Sequence, residues 1–298
     1  MDGALIINKA AGLTSHDVVA RARRILGERS IGHLGTLDPA ATGVLPLLCG
    51  RLTRLAQFFQ DREKEYRGEI RFGFATDTYD AQGSPVGWVS EAAPAREAIE
   101  PLLPRFRGRY LQQPPPYSAK KLAGVPAYKL ARRQQPVVLA PVEVEVRELE
   151  IEGLEGDRMR FRAVCSSGTY IRALAHDLGG ALGVGAHLSR LERVRVGEFT
   201  LAGSHTLEAL DAMAGGGSLG EALVPARDLL PELPGVVAPL EAMAKMMNGQ
   251  PANLPEFSRA VRVRVFTPEG KLLAIARRVA GSLFQPQIVL GQARSNKQ

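Results

Sequence analysis

The residues best suited to chemistry lie between Gly32 and Gly43, where the sequence GHLGTLDPAATG surrounds the carboxylate Asp38 with small residues. Glycines tolerate positive φ angles and close approach, and Pro39 pushes Asp38 toward an extended backbone. His33 stands five residues before the acid. A carboxylate on a stiff, uncrowded loop suits a nucleophile or a general base. The alternative is a local role, because Asp-Pro is common in turns and at helix N-caps.

A second segment, CSSGTYIRALAHDLGGALG from Cys165 to Gly183, predicts a strand end, a capping turn and a helix with one apolar face. Arg172 falls in the first turn of this helix, where the helix dipole disfavours a cation. A buried carboxylate would compensate, and we expect Asp38 to form a charge-assisted pair with it. The alternative is an exposed arginine on the flank of the helix.

Hydrophobic periodicity places both segments in an α+β fold with a mixed, largely antiparallel sheet flanked by helices and loops. A helix is predicted to begin near Thr14 or Ser15 and to end at Gly27. Residues 66–74 alternate between apolar and polar side chains, as in a half-buried strand. The other predicted elements are strands at Ala4–Ile7, Val142–Val146 and Met159–Cys165, and helices at Glu91–Leu103 and Thr206–Met213.

Composition favours an RNA partner. The 298 residues carry a net charge of +7, and the segment 258–298 contains eight Lys/Arg residues against Glu269 alone. Such a basic module, following the turn-rich stretches 212–217 and 231–235, favours a polyanionic ligand. It also contains strand patterns at 261–266, 271–276 and 287–290, the first two resembling a hairpin. We therefore predict a catalytic domain at 1–232, with an RNA-contacting insertion around 105–140, and a β-rich domain at 233–298.

Several classes of protein are disfavoured by the same sequence. Cys49 and Cys165 are the only cysteines, so neither a disulfide framework nor a cysteine-based metal site is expected. The five histidines lack metal-ligand spacing, and no metal or other cofactor is predicted. The N-terminus lacks signal-peptide features, and no apolar run approaches the roughly 20 residues of a membrane span. We expect a cytoplasmic protein that does not associate with membranes.

Four motifs together resemble the TruB-type tRNA pseudouridine synthases: GHLGTLDPAATGVLPL, KEYRGEIRFG, PPPYSAKK and CSSGTYIRALAHDLG, in that family's order. The resemblance spans residues 3–200, and the basic C-terminal module resembles the family's PUA-like domain. It implies isomerisation of uridine 55 in the TΨC loop of tRNA to pseudouridine. The glycosidic N1–C1′ bond breaks, the base turns, and C5 bonds to C1′.

The resemblance also implies roles for individual residues. Asp38 matches the catalytic aspartate, Tyr66 the tyrosine that stacks on the target base, and Arg172 the arginine paired with the aspartate. His33 matches a histidine that helps fill the space left by the flipped nucleotide. The other implied positions are Leu191 and Tyr170 in the pocket, and Lys9, Lys121 and Tyr117 close to the RNA.

Two other functions share parts of this pattern. A related synthase works on guide RNA within a ribonucleoprotein, but it carries a larger PUA domain and partner-binding extensions. An RNA-binding or tRNA-folding protein would also use the basic tail, but it would not require Asp38, Tyr66 and Arg172 together. We expect a monomer that acts on the T arm of tRNA without an obligate protein partner.

Overall fold

The computed structural model describes residues 1–90, 93–118, 120–122, 124–127, 130, 133 and 139–291. Its helices are α1 (Ser15–Leu26), α2 (Arg96–Ile99), α3 (Ile171–Leu182), α4 (Leu207–Gly216) and α5 (Leu240–Met247). Short 3₁₀ helices cover Gly50–Phe59, Glu100–Phe106, Leu201–Gly203, Leu219–Ala222 and Ala226–Asp228. The described part contains no helix long and apolar enough to cross a membrane.

The strands of the described residues often follow one another directly, as in an antiparallel fold. In order they are β1 (Gly3–Lys9), β2 (Ile31–His33), β3 (Thr42–Cys49), β4 (Lys64–Phe72), β5 (Ala75–Thr76), β6 (Pro85–Val86), β7 (Gly108–Gln112), β8 (Lys121–Leu122), β9 (Val125–Pro126), β10 (Val142–Glu155), β11 (Arg158–Cys165), β12 (Ala186–Val196), β13 (Phe199–Thr200), β14 (Leu223–Val224), β15 (Gly235–Val237), β16 (Ala252–Asn253), β17 (Arg262–Phe266), β18 (Leu272–Ala280) and β19 (Leu283–Val289).

A ten-stranded sheet forms the centre of the molecule, in the order β14-β1-β3-β12-β4-β11-β10-β7, with β2 and β13 paired at its side. Every pairing in it is antiparallel except that of β12 with β3. A second sheet of five strands has the order β15-β17-β18-β19-β16. The predicted α+β class with a mixed, largely antiparallel sheet and a β-rich C-terminal part is therefore confirmed.

Strand β4 lies in the middle of the large sheet, between β11 and β12, and it carries the KEYRGEIRF motif. Its buried positions alternate along the strand, as the sequence predicted, but the strand starts two residues earlier, at Lys64. It ends at Phe72 because Gly73 adopts a φ of +106°, which turns the chain. Tyr66 thereby lies opposite Ala163 on one side and Arg193 on the other.

The helix predictions are confirmed at α1 and are partly wrong for Glu91–Leu103. Helix α1 begins after Thr14, which forms a capping box with Asp17, and ends at Gly27 in the left-handed conformation. Residues 91 and 92 lie outside the described residues. The α-helix that follows is only Arg96–Ile99, and a 3₁₀ helix continues it, because prolines within Glu100–Phe106 remove backbone donors.

The two sheets share a hydrophobic core. The predicted hairpin of the C-terminal module is confirmed as β17 and β18. Side chains of the second sheet, including Ile275 and Ile288, pack in one cluster with Ile6, Val44 and Leu48 of the large sheet. The C-terminal sheet therefore covers an apolar face of the large one and is not a separately suspended unit. The division at 232/233 stays a prediction.

Candidate active site

The Asp38 loop connects β2 to β3 and is fastened from three sides. From one side, the Oγ of Ser15 in α1 accepts the Leu37 amide at 2.9 Å. Lys9 of β1 donates from Nζ to the Pro39 carbonyl at 3.1 Å. Arg193 of β12 donates to the carbonyls of Gly35 at 2.9 Å and Thr36 at 3.3 Å. Because the neighbours are held this firmly, the position of the Asp38 carboxylate is set by the sheet and by α1.

Arg172 contacts Asp38, as the sequence suggested. Its Nε lies 2.8 Å from Asp38 Oδ2, and its Nη2 donates to Oδ1 at 3.2 Å. Nη1 and Nη2 also donate to the carbonyls of Thr78 and Tyr117 at 2.8 and 2.9 Å, and Asp80 lies 3.7 Å away. The arginine side chain is 7% exposed, whereas that of Asp38 is 41% exposed. The buried guanidinium thus fixes the orientation of a carboxylate that stays accessible to solvent.

The carboxylate opens onto a cavity of about 250 Å³ that Tyr66 also lines. Tyr66 is only 6% exposed, and burial raises the pKa of its phenol to about 12. The hydroxyl is therefore neutral at physiological pH. A ring held beside a carboxylate in a cavity of this size suits an aromatic ligand such as a nucleobase.

Tyr170 and Leu191 line the same cavity. Tyr170 immediately precedes α3, and burial raises the pKa of its phenol. The predicted capping by the 166–169 turn is wrong, since no side chain caps this helix. Instead, Gln112 of β7 holds the Tyr170 backbone through both its amide oxygen and its amide nitrogen, at 2.8 and 3.0 Å. The clamp places Arg172, two residues later, against Asp38.

The predicted RNA-binding residues lie in different environments in the structure. Tyr117 and His33 line a larger cavity of about 700 Å³ that also reaches Asp38. Burial lowers the pKa of His33. Lys9, predicted to lie close to the RNA, is fully buried here, and its Nζ donates to three backbone carbonyls, including that of Pro39 beside Asp38. The side chain of Lys121 lies outside the described residues.

Two buried cations were missed by the sequence reasoning. Arg193 is fully buried, and Lys64 is 7% exposed; both line the 250 Å³ cavity. Arg193 donates to the carbonyls of Val44, Gly35 and Thr36. Nothing in the string LSRLERVRV separates this buried arginine from Arg190, which is exposed, and Arg195, which is partly buried. Only the pairing of β12 with β3 and β4 places it beneath the site.

The side chains that line the 250 Å³ cavity therefore include one carboxylate, three cations and two phenols. A carboxylate that is both exposed and held at two oxygens can attack an electrophilic carbon. The surrounding positive charge favours an anionic ligand, and the aromatic face favours a base. These features together fit a nucleotide of a polyanion.

Comparison with known proteins agrees with this geometry. Residues 23–171 match the TruB family pseudouridylate synthase N-terminal domain, and residues 172–244 match the tRNA pseudouridylate synthase B C-terminal domain. A protein of Solibacter usitatus described as tRNA pseudouridine synthase B is 47% identical over 97% of this chain and 100% of its own length. The chain belongs to the TruB family of pseudouridylate synthases. It is accordingly a pseudouridine synthase, an isomerase.

Other members of the TruB family show the same likeness. The tRNA pseudouridine synthase B of Geotalea uraniireducens is 39% identical over 93% of this chain and 92% of its own length. Among solved structures, an H/ACA ribonucleoprotein bound to a substrate RNA containing 2′-deoxyuridine is similar, with a TM-score of 0.72 and 25% identity over 97% of this chain and 85% of that one. An archaeal box H/ACA Nop10–Cbf5 complex gives a TM-score of 0.70 at 26% identity, covering 96% of this chain and 85% of that one.

The boundary between the two family domains falls at residue 171/172, at the start of α3. Along the chain this position follows β11 and precedes β12, two strands of the large sheet. It therefore separates Asp38 and Tyr66 from Arg172 and Leu191, so that the cavity is built from both halves of the matched sequence.

Proposed function

We propose that this protein converts uridine 55 in the T arm of tRNA to pseudouridine, with Asp38 as the reacting group. The observation that carries the proposal is the Asp38–Arg172 pair, which opens onto a cavity lined by Tyr66. The names of relatives that align over nearly the whole chain support tRNA as the substrate. Because a folded tRNA loop hides its bases, the target nucleotide must leave the stack before it can reach Asp38.

Tyr66 and Asp38 have different roles in the proposed reaction. Tyr66 receives the flipped base on its ring face, which recovers about 1–3 kcal/mol of stacking free energy. Asp38 attacks the nucleoside, and the N1–C1′ bond breaks with its electron pair going to the uracil, which stays in the cavity. After the base turns, C5 bonds to C1′, the Asp38 carboxylate is released, the C5 proton is lost, and N1 takes up a proton. The substrate and product have the same atoms, and Asp38 is regenerated.

Arg172 and Tyr170 position these groups. Arg172 holds both oxygens of Asp38, so that the carboxylate meets the nucleoside in one orientation. Tyr170 and Leu191, which line the same cavity as Tyr66, contact the bound base. His33 lies in the adjoining cavity, on the path by which a nucleotide enters, and we propose that it fills the space that the flipped nucleotide leaves.

We propose a monomer that works without a guide RNA or a protein partner, in the cytoplasm with its tRNA substrate. The similar ribonucleoprotein structures keep a guide-dependent synthase as the second candidate. A division at 232/233 into a catalytic and an RNA-binding domain belongs to the same proposal. The basic surface of the second sheet would then contact phosphates, which are the main feature that proteins recognise in A-form RNA.

The test is pseudouridine mapping on an unmodified tRNA transcript with the purified protein alone. The wild type should convert uridine 55, and Asp38→Asn should bind the transcript but leave it unmodified. Asp211→Asn, an exposed carboxylate on α4, serves as the matched control and should retain turnover. Conversion by Asp38→Asn would remove Asp38 from the mechanism, and a requirement for added guide RNA would favour the second candidate.

A further inference from the structure

Lys64 is a buried ammonium whose charge the proposed mechanism does not use. It begins β4 and is 7% exposed, and its Nζ donates to one carbonyl, that of Arg62 at 2.9 Å. Among the described residues it takes part in no ion pair within 4.0 Å. Burial lowers its pKa to about 8, and the nearby guanidinium of Arg193 contributes to the lowering. A buried cation whose N–H donors are not all satisfied raises the free energy of the folded state unless an anion binds to it.

The space around Lys64 has room for such an anion. Lys64 lines the cavity of Asp38 and Tyr66 and also a neighbouring one of about 280 Å³. The two cavities share Lys64, Gly35 and Ser167. Gly35 has a φ of +101°, and a Cβ atom there would lie 3.4 Å from the Lys64 Cε. Gly35 thus lies in contact range of the Lys64 side chain where the two cavities meet.

The register of β4 relates Lys64 to the site of the base. Alternate residues of a strand point to the same face and are separated by about 7 Å. Lys64 and Tyr66 are such a pair, and both are buried. A base and its own flanking phosphate are separated by one ribose, which is a comparable span. A nucleotide with its base on Tyr66 can thus bring a phosphate to Lys64.

We propose that Lys64 binds a phosphodiester group directly adjoining the target uridine. The shared opening at Gly35 and Ser167 is the place where the RNA backbone passes from one cavity to the other. This inference rests on the proposed function, since it assumes that the target base lies against Tyr66. The contact would be charge-assisted and shielded from water, and it would form only when the nucleotide has entered the cavity.

The test combines a protein change with removal of one charge from the RNA. Single-turnover rates are measured for a T-arm RNA with ordinary linkages and for RNAs in which the linkage 5′ or 3′ to the target uridine is an uncharged methylphosphonate. For the wild type, one of the two neutral linkages should lower kcat/KM by about 10- to 100-fold, the range of a hydrogen bond to a charged group. The Lys64→Met variant should already convert the ordinary RNA slowly, and the same neutral linkage should lower its rate by less than a further twofold.

The controls separate this contact from general charge and from folding. Lys245→Met removes an exposed lysine of α5 and should retain the full methylphosphonate penalty. Lys64→Gln provides a second uncharged variant, and thermal melting verifies that both variants fold. If the penalties of the two changes multiply, or if neither neutral linkage slows the wild type, the subsite is wrong. Turnover of the all-phosphate RNA by the wild type reports separately on the proposed function.

Discussion

Replacement of Arg172 by lysine keeps the positive charge beside Asp38 but removes the planar fork that joins it to two loops. The guanidinium makes hydrogen bonds to Asp38, Thr78 and Tyr117 and a further 2.8 Å ion-pair contact to the carboxylate. A lysine ammonium is a single point of charge and cannot span these acceptors. Two partly buried carbonyls left without donors, at about 1–3 kcal/mol each, predict a loss of roughly 2–6 kcal/mol in the free energy of unfolding.

The catalytic effect should exceed what this loss of stability alone would cause. With one fewer contact, the 41% exposed carboxylate of Asp38 can rotate into the open cavity. Misplacement of a reacting group by about 1 Å can cost 10²-fold in rate. We therefore expect the single-turnover rate of Arg172→Lys on a tRNA transcript to fall about 100-fold, with the Kd for tRNA within threefold of the wild-type value.

The chain offers a matched control in Arg21, which pairs with Glu208 and Asp211 at 3.0 and 2.7 Å but is partly exposed. Because exposed ion pairs contribute little, Arg21→Lys should leave both the urea midpoint and the rate close to the wild-type values. Urea unfolding, filter binding and single-turnover pseudouridine formation measure the three quantities. A folded Arg172→Lys protein with a rate within twofold of the wild type would refute the positioning argument.

Three further predictions follow from neighbouring contacts. Tyr66→Leu should lower kcat/KM by about 5- to 150-fold through lost stacking, more than Tyr66→Phe, and equal losses in the two would refute a stacking role. Gly43→Ala should destabilise the protein far more than Gly12→Ala in thermal melts: both positions have positive φ, but only at Gly43 would a Cβ overlap the backbone of Arg193. Lys64 should raise the free energy of unfolding by about 1 kcal/mol between pH 8 and pH 9. Its pKa is lower in the folded protein than in the unfolded chain, so the unfolded chain binds more protons in this range. In urea titrations, Lys64→Met should lose this part of the rise.

Local signals in the sequence predicted local structure well. The capping residue Thr14 and the terminal Gly27 fix the ends of α1, and both act through bonds within a few residues. The alternation in KEYRGEIRF gives β4 for the same reason. The helix predicted over Glu91–Leu103 shows the limit, because apolar spacing suggested a longer α-helix than its prolines permit.

Contacts across long sequence distances were predictable only in part. Arg172 could be linked to Asp38 because a cation in a first turn demands compensation. Lys9 and Arg193 gave no such sign: each is buried because of strand order, and strand order is set by the total packing of the sheets. The sequence marks Lys9 only as a cation, and in the structure its three donors are spent on backbone carbonyls.

The core shared by the two sheets has a consequence for how far along an RNA this protein can act. Because Ile275 and Ile288 pack into the same cluster as Val44 and Leu48, the second sheet cannot swing away without exposing apolar surface. Removing it after Pro234 would likewise uncover that face of the large sheet. The shared core thus fixes the separation between the cavity and the basic C-terminal surface, and an RNA that contacts both, as we propose, would have to match that distance.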